Sequence, residues 1–410
     1  MLIKKQSEKS RVSLLYLKAS SLIKEYLKGI KYWKYIVFAC LLGWPLTKGS
    51  IQIALELYEK LPDSHRASIT NSYPAEVYKS GIRPQILMNY IQGLFSSPEV
   101  LNIDIKFLDY SQLVKKRKDA LKKTKLVTSP EDYVDAVLTF DNNKYKARLR
   151  LKGDLLDHIA TEQWSFRVKV LDEKSIKGMK KFSLQAPRTR NYIYESIFQA
   201  LLRKEEVPSL RYDFLKLVLN GRDLGIYALE EHFDKILIES NKYREGVIIK
   251  FNEDDIWDPE TSLRAKPVGE NPVLSANIDV FQESKVYSNP ILKDQFSTAI
   301  QLLNGFIKGQ LTTNQAFDIY SLSRYFAITD LAAAWHGSVW HNFRFYFNPI
   351  TSRLMPIGFD GMSGNQNLKI ENLIIEKNPL LFFDNNELVE KYVENLERIS
   401  NKNYIDDFIN

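Results

Sequence analysis

The chain reads as an α+β protein, and three observations carry that reading. From 101 to 250 the residues alternate apolar and polar in short runs bounded by turn signals, the pattern of strands. Helical spacing breaks into those runs at 110–125 and 192–204, and it returns at 323–334 and 386–399. A late hairpin over 343–359 packs aromatic residues on one strand and ends abruptly on Asp360-Gly361.

Taken in order, residues 101–107 (LNIDIKF) alternate cleanly and predict the first strand. The helix over 110–125 carries a basic run, Lys115, Lys116, Arg117, Lys118, Lys122 and Lys123. That run is a solvated face or a surface for an anionic partner. Residues 136–140, a turn at Asp141-Asn142-Asn143 and residues 144–151 make a hairpin. Its second strand ends R-L-R-L-K-G-D, so Arg148, Arg150 and Lys152 share one face beside Gly153. Such a row of cations is a phosphate grip or an ordinary solvated face. Strands follow at 164–170, with Arg167 and Lys169 on one side, and at 180–185. The helix over 192–204 is closed by Pro208. Residues 211–219 and 225–231 flank Asn220-Gly221, the dipeptide of a tight hairpin. Glu231 is expected to open a helix over 232–240, where its carboxylate caps the dipole or pairs a phosphate-holding lysine. A short strand over 246–250 ends on Lys250, and 251–320 reads as loop and helix around an insert marked by Pro259, Pro267 and Pro272.

The stretch 331–360 carries the densest chemistry. A helix end of Ala332, Ala333 and Ala334 runs into Trp335-His336-Gly337 and Trp340-His341-Asn342. A strand with Phe343, Phe345 and Phe347, a turn at Asn348-Pro349 and a strand over 354–359 follow. The hairpin puts Asn342 at its entry and Asp360 at its exit, hence at the same end. An amide oxygen and a carboxylate there form the hard-oxygen pair that Mg²⁺ takes alongside substrate phosphates. Protein kinases hold their metals with such an Asn and Asp. Asp-Gly after a strand is equally a plain turn.

Composition bounds the function. With 410 residues, 44% of them hydrophobic, the chain can bury a full core. The single cysteine, Cys40, excludes a disulfide framework and a cysteine-built metal site. Residues 1–34 hold nine Lys and Arg against two Glu, which is the whole net charge of +7. The remainder is neutral, so no nucleic-acid partner is expected. That tail has helical spacing of Val12, Leu15, Ala19, Leu22 and Ile23 and reads as a basic amphipathic helix for an anionic membrane surface. Residues 35–47 include an uncharged apolar run, shorter than the roughly 20 residues of a full crossing. They read as a signal-anchor-like segment or a buried helix. The organisation expected is a tail over 1–34, an anchor over 35–47, a helical spacer over 48–97 and a main domain over 98–410. A membrane-associated protein is expected. If the segment crosses, the basic flank stays cytoplasmic and the main domain is extracytoplasmic; if it does not, the tail docks on the inner leaflet.

The order of these pieces resembles the spore-coat protein H (CotH) kinase family. The resemblance rests on R-L-R-L-K-G (148–153), W-S-F-R-V-K-V (164–170), K-K-F-S-L (180–184) and L-N-G-R-D-L-G-I-Y-A-L-E-E (219–231). It continues through G-V-I-I-K (246–250), W-H-N-F-R-F-Y-F-N-P (340–349) and M-P-I-G-F-D (355–360), so it covers about 100–365. It implies a protein-kinase-like bilobal domain, with an antiparallel-sheet nucleotide lobe and a helical lobe. It also implies phosphate transfer from ATP to a secreted or coat protein acceptor. On that pattern Asp360 is the metal-holding aspartate and Asn342 a second ligand or a substrate contact. Arg148, Lys152 and Lys169 would meet the phosphates, and Glu231 with Lys250 would form an ion pair that orients ATP. Some members carry a catalytic aspartate upstream of the His-Asn pair. Here the aligned place holds His336, with Asp330 six residues earlier. A neutral histidine can take a hydroxyl proton. The resemblance therefore implies an ATP- and Mg²⁺-dependent kinase, or else a non-catalytic assembly or binding protein of the cell envelope.

Overall fold

Alternating strands in the first half of the main domain close on themselves. Strand β1 (Val100–Asp104) is followed by helix α1 (Phe107–Lys123), the hairpin β2 (Val134–Phe140) and β3 (Asn143–Leu151), then β4 (Phe166–Val170) and β5 (Lys181–Gln185). Helix α2 (Tyr194–Lys204) leads to a second hairpin, β6 (Tyr212–Leu219) and β7 (Arg222–Glu231). In this computed structural model, which describes residues 98–153, 156–252, 276–364 and 382–409, the seven strands form a closed barrel. Their order is β1-β2-β3-β4-β5-β7-β6, antiparallel at every pairing except the parallel seam between β1 and β6. Asn220 ties that seam: its N–H donates to Ile103 O at 2.8 Å, and its Oδ1 accepts from Ile105 N at 2.7 Å.

Period two decides which side chains fill the barrel. Val134, Ala136, Leu138 and Phe140 of β2 and Tyr145, Ala147, Leu149 and Leu151 of β3 are buried in one core with Leu113 and Ala120 of α1. The intervening residues of β3 face outward. Both hairpin turns have paired positive φ, Asp141 and Asn142 in one, Asn220 and Gly221 in the other, as two-residue turns require.

The second half holds α3 (Lys235–Ser240), β8 (Ile248–Phe251), β9 (Ile278–Val280), α4 (Glu283–Ser288), α5 (Pro290–Ile307), α6 (Thr313–Ala316) and α7 (Ile319–Leu331). It continues with β10 (Arg344–Asn348), β11 (Arg353–Ile357), α8 (Asn386–Ile399) and α9 (Lys402–Ile409). The strands form an antiparallel sheet in the order β11-β10-β8-β9. β10 is buried along its whole length. Its Phe345, with Phe343 just before the strand, stacks into a second core with Phe306, Phe317, Phe326 and Phe382.

The α+β class therefore holds. The expected antiparallel lobe is instead a barrel, because β1 bridges β2 and β6 and leaves no open edge. Glu231 does not open a helix. It ends β7, and α3 starts four residues later, where the Asp234 carboxylate accepts from the N–H groups of Ile236 and Leu237. The region read as loop and helix contains β9 as well. The expectations for 1–97 and for the proline-marked insert lie outside the described residues. Among the described residues no helix is long and apolar enough to cross a membrane.

Candidate functional site

Five segments bring charged side chains to one buried place between the barrel wall and the end of the β10–β11 hairpin. Lys152 follows β3 and keeps the outward parity of Arg148 and Arg150, yet it is only 8% exposed. Its ammonium donates to Glu230 Oε1 of β7 at 2.7 Å and to Gln185 Oε1 at the end of β5 at 2.9 Å. Gln185 Nε2 donates to the other oxygen of Glu230 at 2.9 Å. Arg190, in the short turn Pro187–Arg190, places Nε 3.9 Å from Glu230 Oε2 and 3.1 Å from Asp360 Oδ1. His336 Nδ1 stands 3.5 Å from the same Asp360 oxygen. The result is an alternating row, Lys152–Glu230–Arg190–Asp360–His336.

Local backbone fixes the far end of this row. Register pairs Arg344 with Ile357, so Asn342 and Asp360 lie at one end of the hairpin. Asp360 has φ +50°, a left-handed conformation that costs a non-glycine residue of order 1 kcal/mol. The next residue must be small: a Cβ on Gly361 would lie 2.8 Å from Phe198 Cδ1 and 2.9 Å from Ala334 Cβ. His336 and Asn342 sit in successive short turns, Trp335–Ser338 and Trp340–Asn342. Asn342 Nδ2 donates to His336 O at 2.9 Å. His336 Nδ1 lies 2.8 Å from Asp360 O, 3.5 Å from Asp360 Oδ1 and 3.0 Å from Asn342 Nδ2. The two Asp360 oxygens accept only and favour the proton on Nδ1, with the lone pair of the neutral ring on Nε2, since Asn342 Nδ2 already gives a hydrogen bond to His336 O.

Electrostatics follow from burial against pairing. Burial pushes Asp360 upward, but Arg190, then His336 and Lys152, hold it well below the usual carboxylate range. Glu230 is likewise held down at about 2, because Lys152 and Arg190 outweigh its burial. Burial dominates at Lys152 and lowers it to about 8 despite Glu230. Burial also opposes a charged His336, yet its bonds to Asp360 raise its pKa overall. Glu195, on the first turn of α2 and 1% exposed, is pushed up to about 7 by burial and by Asp360. Its Oε1 accepts from Gln199 Nε2 at 2.9 Å, while Oε2 has no hydrogen-bond partner.

The structure thus brings together four of the residues singled out in the sequence, Lys152, His336, Asn342 and Asp360. It does not bring the others there. Arg148 is paired with Asp135 at 2.7 Å on the exposed barrel wall. Lys169 sets its ammonium 4.0 Å over the Tyr133 ring. Glu231 points away from its neighbour Glu230 and is taken by the Arg211 guanidinium. Lys250 lies in the second sheet opposite Arg344 and Asp279. The Asp330 carboxylate accepts from the Tyr392 hydroxyl of α8. Arg190, Glu230, Gln185 and Glu195 were not singled out. Strand parity separates Glu230 from Glu231, but no periodic signal marks Arg190 in its short turn.

A divalent cation fits this donor set in one way. Among the described residues no three His, Cys, Asp or Glu converge as a ligand group. Both ion pairs of Asp360 use Oδ1, which leaves Oδ2 as the oxygen that would meet a metal. Asn342 reaches this corner through its contacts with His336. That is the sparse protein shell of a Mg²⁺ that keeps water and phosphate ligands.

A family model described as CotH kinase protein matches residues 149–406. No curated protein matches the chain. The matched residues span more than half of the sequence, and the chain belongs to the CotH kinase protein family.

Proposed function

From that membership and the buried charge row, we propose that the protein transfers phosphate from ATP, with Mg²⁺, to a hydroxyl of a protein or other acceptor in the cell envelope. The observation that carries the reading is the convergence of Lys152, Glu230, Arg190, Asp360 and His336 from distant segments. Lys152 meets the phosphates and Glu230 orients it. Asp360 and Asn342 would hold the metal. When bound, Mg²⁺ neutralises charge on the phosphate oxygens. The barrel serves as nucleotide lobe and the second sheet with its helices as the helical lobe of a kinase-like pair. His336 takes the acceptor proton through Nε2, which is open to a proton only above the raised pKa that Asp360 imposes. The basic tail over 1–34 docks on anionic lipid, 35–47 anchors it, and the main domain works outside the cytoplasm.

A second reading, a non-catalytic assembly or binding protein of the envelope, is favoured by one observation. Asp330, the other candidate base, is bound to Tyr392 and leaves His336 to act alone. Calorimetry of Mg²⁺·ATP binding to the full chain, beside Asp360→Ala, tests both. Magnesium-dependent binding that disappears in the variant is expected. Absence of binding to either protein would leave the envelope-binding reading.

A further inference from the structure

Arg190 is the member of the row whose chemistry is least used. The side chain is 9% exposed, yet its guanidinium donates a single hydrogen bond among the described residues, from Nη1 to its neighbour's carbonyl, Thr189 O, at 3.1 Å. Nε is buried, faces Asp360 and Glu230, and makes no hydrogen bond to either. A guanidinium has five donors in a rigid fork that suits phosphate oxygens, and burying it so under-bonded is costly without a ligand. Its place also matters. A divalent cation on Asp360 would share that carboxylate with a fixed positive charge 3.1 Å from Oδ1, an arrangement that repels the metal unless an anion lies between them.

On the kinase reading, we propose that Arg190 is a phosphate ligand of this site and makes metal binding at Asp360 conditional on a polyphosphate. Free Mg²⁺ or Mn²⁺ is turned away by the guanidinium. The metal complex of a polyphosphate is accepted, because its negative oxygens satisfy the Arg190 fork while its metal faces Asp360. Order of binding is thereby built into the row: metal enters with the nucleotide.

The test uses the full chain and follows Mn²⁺ by electron paramagnetic resonance and tripolyphosphate by calorimetry, for wild type, Arg190→Met and Arg190→Lys. Wild type is expected to take up Mn²⁺ only when tripolyphosphate is present. Arg190→Met should take up Mn²⁺ alone and bind tripolyphosphate at least about tenfold more weakly. Arg190→Lys keeps the charge but loses the fork. It should still exclude free Mn²⁺ while binding tripolyphosphate more weakly, and it decides the matter should the Met variant not fold. Mn²⁺ binding to wild type without polyphosphate would overturn the proposal. So would unchanged tripolyphosphate affinity in both variants. If wild type binds Mg²⁺·ATP through Asp360 while the Arg190 variants match it, this inference fails and the kinase reading stands. If wild type binds neither ATP nor tripolyphosphate, both fail.

Discussion

Replacing Glu195 by Gln removes one titrating carboxylate from the site and keeps its shape. The Gln199 amide that donates to Glu195 Oε1 can donate equally to a Gln carbonyl. In the wild type, burial and then the Asp360 charge raise Glu195 from 4.5 to about 7, against the pull of Gln199 and Arg190, with Glu230 adding to the rise. The folded state therefore binds this proton more tightly than the unfolded chain. Its contribution is fully present below about pH 4.5 and is lost as pH rises through 7. A displacement of that size corresponds to about 3 kcal/mol. Urea unfolding of the full chain, followed by circular dichroism between pH 5 and pH 8, measures it as wild type minus variant. Other groups cancel in that difference, including His158, which burial lowers to about 3 and whose pH dependence has the opposite sign. Glu195→Gln should exceed the wild type by only about 1 kcal/mol at pH 5 and by about 3 kcal/mol at pH 8. A difference that stays flat across the range would refute the buried-carboxylate reasoning.

Two further outcomes follow from the same row. Because burial lowers Lys152 to about 8, its cation is lost as pH rises through that value, and Mg²⁺·ATP affinity should fall about tenfold by pH 9; Lys152→Arg should flatten the profile, and a wild-type affinity unchanged to pH 9 would contradict it. Gly361→Ala drives a Cβ into Phe198 and Ala334 and should cost about 1–3 kcal/mol in urea unfolding while displacing Asp360 enough to abolish metal-dependent nucleotide binding. A variant with wild-type binding would show that the loop tolerates the shift.

Strands and the late hairpin were legible because their signals are local. Asn220-Gly221 marks its turn, and 386–399 was read with the bounds that α8 has. Barrel closure was not legible, since the parallel β1–β6 pairing joins residues more than a hundred positions apart with no pattern of its own. At the site, Asp360, Asn342 and Lys152 were visible through strand ends and a shared parity. Parity within β7 offers no guide from burial, because its last five residues are all buried. Glu230 and Glu231 differ only in which arginine or lysine the fold brings to each face. Arg190 acquires its place from tertiary packing alone.

Stability is a poor reason for such a row to exist. A buried ion pair is often no better than apolar side chains of equal volume, so a five-member chain of charges is not what a barrel rim needs to fold. The row is also incompletely bonded: Arg190 Nε, Asp360 Oδ1 and Glu195 Oε2 are buried without a hydrogen bond, as is the nearby Ser363 Oγ. Asp360 adds a left-handed backbone to the cost. Unmet polar atoms of this kind call for an ion, water or a ligand. Strain and unmet polar atoms gathered around one carboxylate are no demand of the fold, and they are what the proposed site would use. Arg190, though ion-paired to Asp360 and Glu230, spends only one of its donors on a hydrogen bond among the described residues, and that is the feature on which the phosphate proposal rests.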